Sequence, residues 1–308
     1  MIRNSTATLG QAVRWACILE ATSPKPGNVH PGASFHDLGF GDFIAAAEAL
    51  MNVIDAGEMG LGELVLGAVV ETHKQSQSNV NLGIILLIAP LVVAHRKLKP
   101  SGLKPSLTSV SRPHDSVQEL ANMLEWRQGT QQVLDSIDVT QSRLVFQAIS
   151  LAKAGGMELP ADDQEALKMD VNAPEGSHDE LLLAMSSAAN RDWIAREYAT
   201  GFESVFHRVV PLLDKCIESS GDLLVGIRRT LLCLLATEAD SLIARKNGRD
   251  VAEQVRQLAA HTDPDDENEI GKLDVHLRSQ GNRLNPGTTA DLIVAGLFVW
   301  IAGDSGSR

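Results

Sequence analysis

The chain has 308 residues, of which 44% are hydrophobic and 21% charged, and a formal net charge of −12. That length buries a large core, so a disordered tail and a disulfide-stapled miniprotein are both excluded. The acidic balance argues against a nucleic-acid coat or a basic membrane-surface protein, though not against anionic substrates, which need only a few local cations.

The first residues lack the apolar core of a signal peptide. Three cysteines, Cys17, Cys216 and Cys233, form no C-x-x-C pair. Their odd number and spacing speak against a zinc site or a disulfide framework and suit a reducing, cytoplasmic setting. The apolar runs 82–94 and 290–302 fall short of the roughly 18–20 residues of a membrane-spanning helix and predict buried core helices instead. Aromatic residues are only 4%, alternating strand patterns are hard to find, and no repeat of 20–50 residues is present. The expected fold is all-α: one multi-helix globular domain over 1–308, with long functional loops.

In chain order, a first helix ends near Glu20 and is followed by Ser23-Pro24-Lys25-Pro26-Gly27-Asn28. Two prolines stiffen the chain around Lys25, and Gly27 permits a turn or a close approach to a ligand. Lys25 is a candidate phosphate ligand; on local evidence alone a plain helix connection with a solvated lysine is the better reading. Phe35-His36-Asp37-Leu38 follows, with Asp37 a candidate metal ligand or base and His36 a candidate binding residue. Asp42 nearby reads equally as a member of this candidate site and as the N-cap of the next helix. Thr72-His73-Lys74 precedes Ser78, Asn79 and Asn81 at the start of the apolar run, where polar side chains and helix N–H groups suit an anion and also suit simple capping.

Two further helices are clear. In 190–218, Trp193, Ile194, Phe202, Val205, Phe206, Val209 and Leu213 make one apolar stripe, with a kink expected at Pro211. In 222–246, Glu238 falls on one apolar row and Asp240 on the next, where carboxylates need partners or a metal. Arg245 and Lys246 follow within three turns, fitting a metal–phosphate site or a structural ion-pair network. Loops are expected at 23–34, 99–116, 155–180 and 261–270. Near the end, Asn285-Pro286-Gly287-Thr288-Thr289-Ala290-Asp291 opens the last apolar helix; Thr288 or Thr289 could cap it and Asp291 suits its dipole. Arg278 and Arg283 lie just upstream. Walker A, G-x-G-x-x-G, H-E-x-x-H and G-x-S-x-G patterns are absent.

Together these motifs resemble the triphosphoribosyl-dephospho-CoA synthase family: Glu20…Ser23-Pro24-Lys25-Pro26-Gly27, Phe35-His36-Asp37-Leu38, Thr72-His73-Lys74, Glu238-Ala-Asp240…Arg245-Lys246 and Pro286-Gly287-Thr-Thr-Ala290-Asp291, in the family's order. One stretch departs: the family's glycine-rich segment around T-H-K is here polar, Gln75 to Asn81, and is similar to a divergent branch with an S-N-x-N-L-G-I pattern, some of whose members are associated with pterin-linked one-carbon metabolism. The resemblance implies an all-helical transferase that joins the ATP ribose C1′ to the 2′-OH of 3′-dephospho-CoA and releases adenine. It leaves two alternatives: the same donor chemistry on another acceptor, such as a pterin-type cofactor precursor, or a noncatalytic nucleotide-binding subunit. It implies small-molecule partners, no nucleic acid and no membrane, and allows a homo-oligomer. The implied roles place Asp37, Glu238, Asp240 and Asp291 in catalysis, with Asp37, Glu238 and Asp240 on Mg²⁺. Lys25, Gly27, His36, His73, Lys74, Ser78, Asn79, Asn81, Arg245 and Lys246 are assigned to substrate and phosphate.

Overall fold

The computed structural model of the protein describes residues 6–76, 80–98, 116–152 and 181–303. Among these residues every extended regular element is helical, as the composition and periodicity predict. The first half holds α1 (Leu9–Thr22), α2 (Phe40–Asp55), α3 (Leu61–Ser76), α4 (Leu82–Leu98), α5 (Ser116–Asp135) and α6 (Val139–Ala152). The second holds α7 (Leu181–Ala188), α8 (Trp193–Thr200), α9 (Val210–Ser220), α10 (Leu223–Thr237), α11 (Ser241–Asn247), α12 (Arg249–Ala260), α13 (Glu267–Arg278) and α14 (Gly287–Ala302).

The two apolar runs form α4 and α14, which are buried on nearly every side and pack against each other. One hydrophobic cluster extends from Leu9 to Ala302. No helix among the described residues is long and apolar enough to cross a membrane. Pro90 lies inside α4 and has no N–H to give the carbonyl of Leu86, four residues back. The hydroxyl of buried Tyr198 on α8 donates to that carbonyl at 2.8 Å and repairs the gap. Trp126 Nε1 donates to the Leu91 carbonyl at 2.9 Å, tying α5 to the same helix.

Both of the long helices expected in the second half are broken. The 190–218 stripe is divided at Gly201, which caps α8 in the left-handed conformation, and again by a π-helical turn over Val205–Val209. The buried carboxylate of Glu197 accepts from the Val205 N–H at 3.1 Å and supports this break. Pro211 directly follows that π-helical turn inside a run that stays helical from 203 to 220, so the irregularity expected at the proline is taken up as a widened turn just before it. The 222–246 helix ends at Thr237. Glu238 is extended, and Asp240 caps the new helix α11. The two carboxylates thus occupy a bend between helices and not adjacent rows of one.

Capping differs in two further places. Gly39 is the N-cap of α2, and Asp42 accepts from its N–H at 2.8 Å from one turn inside. Neither Thr288 nor Thr289 caps α14; Asp240 does so from α11, accepting from the Thr289 N–H at 2.8 Å. Of the expected loops, 99–115 and 155–180 lie outside the described residues, while 261–270 runs into α13 at Glu267.

Candidate active site

The short bend Glu238–Asp240 brings the starts of α8, α11 and α14 together. The Trp193 N–H donates to Ser241 Oγ at 3.2 Å, and Ser241 Oγ donates to Thr288 Oγ1 at 3.2 Å. Asp192 caps α8 through the Ile194 and Ala195 N–H groups at 2.8 and 3.1 Å, and its other oxygen receives Arg245 Nη1 at 2.8 Å. The start of α4 joins them. Gly83 lies so close to Asp291 that a Cβ there would stand 2.0 Å from Asp291 Oδ2. Helix amino ends carry partial positive charge, so the carboxylates gathered here have an electrostatic reason to be present.

These carboxylates are not equivalent. Asp240 is fully buried and saturated: Oδ1 accepts from the Leu242 and Ile243 N–H groups at 2.8 and 3.0 Å, and Oδ2 accepts from Thr289 N and Oγ1 at 2.8 and 2.7 Å. A carboxylate offers about four lone-pair directions, and all four are taken. Burial raises its carboxyl against those four donors. Glu238 is held by Arg196 at 2.5 and 3.1 Å and by Arg208 at 3.0 Å. Burial opposes its charge, yet the two guanidiniums hold it below the usual carboxylate range. Asp291 is partly open to solvent and has no hydrogen-bond partner among the described residues. Its carboxyl is pushed well above the ordinary range, first by burial, then by the negative charges of Glu20 and Asp240, with Arg245 opposing.

Lys25 departs from the expectation of a cation directed at a ligand. It is buried, with Nζ 3.0 Å from Glu20 Oε1 and donating to the backbone carbonyls of Glu20 and Ser23, the latter at 3.2 Å. Burial lowers the Lys25 ammonium and raises the Glu20 carboxyl; each partner opposes the other's shift. Gly27, at φ +74°, is required by the fold: a Cβ would stand 2.8 Å from Leu277 Cβ, and its N–H donates to Asp274 Oδ1 at 2.7 Å.

His36 and Asp37 are exposed on the loop before α2. Asp37 Oδ2 accepts from Asn282 Nδ2 at 2.8 Å. Lys246 is half-buried and donates to the Asn282 carbonyl at 3.3 Å. Burial lowers its ammonium, Arg245 and Arg283 act in the same direction, and Asp240 and Asp37 oppose them. Arg283 anchors this corner through Asn247 Oδ1 at 3.0 Å and the Lys246 carbonyl at 3.1 Å.

The T-H-K segment is only partly at the site. His73 and Lys74 are exposed at the end of α3, with Lys74 3.2 Å from Glu71. Buried Asn81 donates to Thr72 Oγ1 at 3.2 Å and fastens α3 to the start of α4. Ser78 and Asn79 lie outside the described residues.

The predicted magnesium set is therefore not assembled. Asp240 has no lone pair to give, Glu238 is occupied by two arginines, and Asp37 stands apart on an exposed loop. Among the described residues no group of three or more His, Cys, Asp or Glu side chains is placed to hold a metal ion. Conversely, the sequence reading assigned no role to Asp192, Asn282 or Gly83. Glu20 stands out in the sequence only as the first residue of the Glu20…Gly27 motif. A separate cavity of about 290 Å³ opens beside Leu98, Trp126 and Trp300 at the other ends of α4 and α14, and none of the predicted residues line it.

A sequence search of curated proteins finds no match. Among solved structures, a protein from Archaeoglobus fulgidus provisionally named triphosphoribosyl-dephospho-CoA synthase is similar in fold, with a TM-score of 0.55 and 21% identity, covering 87% of this chain and 99% of its own. The family model described as ATP:dephospho-CoA triphosphoribosyl transferase matches residues 6–307. With the model spanning nearly the whole chain and the helical fold in agreement, this protein belongs to the ATP:dephospho-CoA triphosphoribosyl transferase family.

Proposed function

We propose that this chain, acting as one domain, transfers the triphosphoribosyl group of ATP to the 2′-OH of 3′-dephospho-CoA and releases adenine. The observation that carries the site assignment is Asp291: a partly open carboxylate, uncommitted among the described residues, that feels the cation Arg245 and the carboxylates of Glu20, Asp240 and Asp192.

Transfer at an anomeric carbon passes through an oxocarbenium-like state, which a nearby carboxylate stabilises. Asp291 takes the proton from the attacking hydroxyl; its raised carboxyl brings it toward the range where a general base works best. Lys246, Arg245 and Arg283 receive the phosphates, which remain on the transferred sugar. Asp37 is the member of the predicted metal set whose lone pairs stay open, and it fits a Mg²⁺ ion carried in by the triphosphate, which needs only one or two protein carboxylates. Such an ion would neutralise phosphate charge. Asp240, Glu238 and the Lys25–Glu20 pair act by holding the helix ends in place. The polar Gln75–Asn81 stretch, where the family has glycines, favours a second acceptor, such as a pterin-type precursor, as the next substrate to try. The three free cysteines suit a cytoplasmic setting.

Incubation with ATP, Mg²⁺ and 3′-dephospho-CoA, followed by mass spectrometry, tests the proposal. Adenine and a triphosphoribosyl adduct in equal amounts are expected. Adenine without an adduct points to another acceptor, and ATP binding without either product points to a binding subunit.

A further inference from the structure

Gly83 has no polar atom of its own beyond the backbone, yet it occupies the closest approach in the site. It is the second residue of α4. A Cβ added there would lie 2.0 Å from Asp291 Oδ2, 2.7 Å from the carboxyl carbon of Asp291 and 2.9 Å from Ile194 Cδ1. Carbon and oxygen without a covalent bond normally stay about 3.3 Å or more apart, so any side chain at this position displaces the carboxylate by more than about 1 Å. Asn81, the residue before α4, gives its side-chain N–H to Thr72 on α3. The amino end of α4 and the Asp291 carboxylate therefore meet directly, over a residue with no side chain.

Resting on the role given above to Asp291, we propose that Gly83 is a positioning residue for the transfer reaction. Its missing side chain lets Asp291 seat against the start of α4 in the geometry that proton removal requires. Misplacement of a reacting group by about 1 Å costs roughly 100-fold in rate. Glycine is not demanded here by backbone conformation, since position 83 lies within the helix; it is demanded by what stands opposite.

The test is a double-mutant cycle read by adenine release and thermal melting. Gly83→Ala is expected to lower kcat roughly 100-fold and leave KM for ATP unchanged. Asp291→Asn is expected to lower kcat at least as far, and Gly83→Ala added to it is expected to cost nothing more, because both act through one carboxylate. Gly67→Ala on α3, where a Cβ meets Val53 Cγ1 at an ordinary 3.4 Å, serves as the control with unchanged activity. Full turnover by Gly83→Ala, or losses that multiply in the double variant, overturns the proposal. Wild-type turnover by Asp291→Asn would instead overturn the role given to Asp291. If Gly83→Ala is too unstable to assay, melting of Gly83→Ala in an Asp291→Ala background decides: regained stability supports the direct clash, and no regain refutes it.

Discussion

At the scale of single residues, the site separates carboxylates that hold the fold from Asp291, the one to which the proposed function gives the chemistry. Asp240 answers four donors. Asp240→Asn places an amide N–H₂ against some of them and is expected to cost about 3 kcal/mol of stability, measured by urea unfolding. Asp291 gives the opposite result. Its carboxyl holds a proton more tightly folded than unfolded, so the charge it carries at higher pH weakens the native state. Asp291→Asn is therefore expected to melt above the wild type at neutral pH. The gap should be absent below about pH 4, the unfolded value, and widen as pH rises toward the folded one. A gap of equal size at pH 3 and pH 8 would contradict this. Lys246→Ala should raise KM for ATP roughly 10- to 100-fold by removing one charge-assisted phosphate contact, with a smaller effect on kcat. These roles were only partly legible in the sequence. The motif containing Asp291 was visible, but Asp240 and Asp291 looked alike until the partner atoms, 49 residues away at Thr289 in the case of Asp240, came into place.

At the scale of elements, the apolar runs at 82–94 and 290–302 predicted α4 and α14 directly, because length and continuous hydrophobicity are local properties. The breaks were not local. Periodicity carried on through Gly201 and Glu238, and the chain leaves the helix there because Glu197 takes the Val205 N–H and Asp240 caps two helices at once. Pro90 shows the same dependence on a distant partner, since it is tolerated in the middle of α4 while Tyr198 serves the Leu86 carbonyl. Tyr198→Phe should destabilise the protein by about 1–2 kcal/mol through that orphaned carbonyl. The same change in a Pro90→Ala background, where the N–H is restored, should cost less; an equal cost in both backgrounds would refute the pairing.

At the scale of the whole molecule, a net charge of −12 surrounds a site meant for highly anionic substrates. The conflict is resolved locally: Arg245, Lys246 and Arg283 lie within one corner of the molecule, at α11 and the segment before α14. Composition predicted the helical class, and the order of the motifs pointed to the family, but neither could show that the predicted metal set would be scattered. Product analysis of wild type and Asp291→Asn, with ATP, Mg²⁺ and 3′-dephospho-CoA, is the most direct test of the central claim. Adenine and the triphosphoribosyl adduct from the wild type, with both lost in the variant, are the predicted result; an undiminished adduct from Asp291→Asn, or no adenine from the wild type, would contradict it.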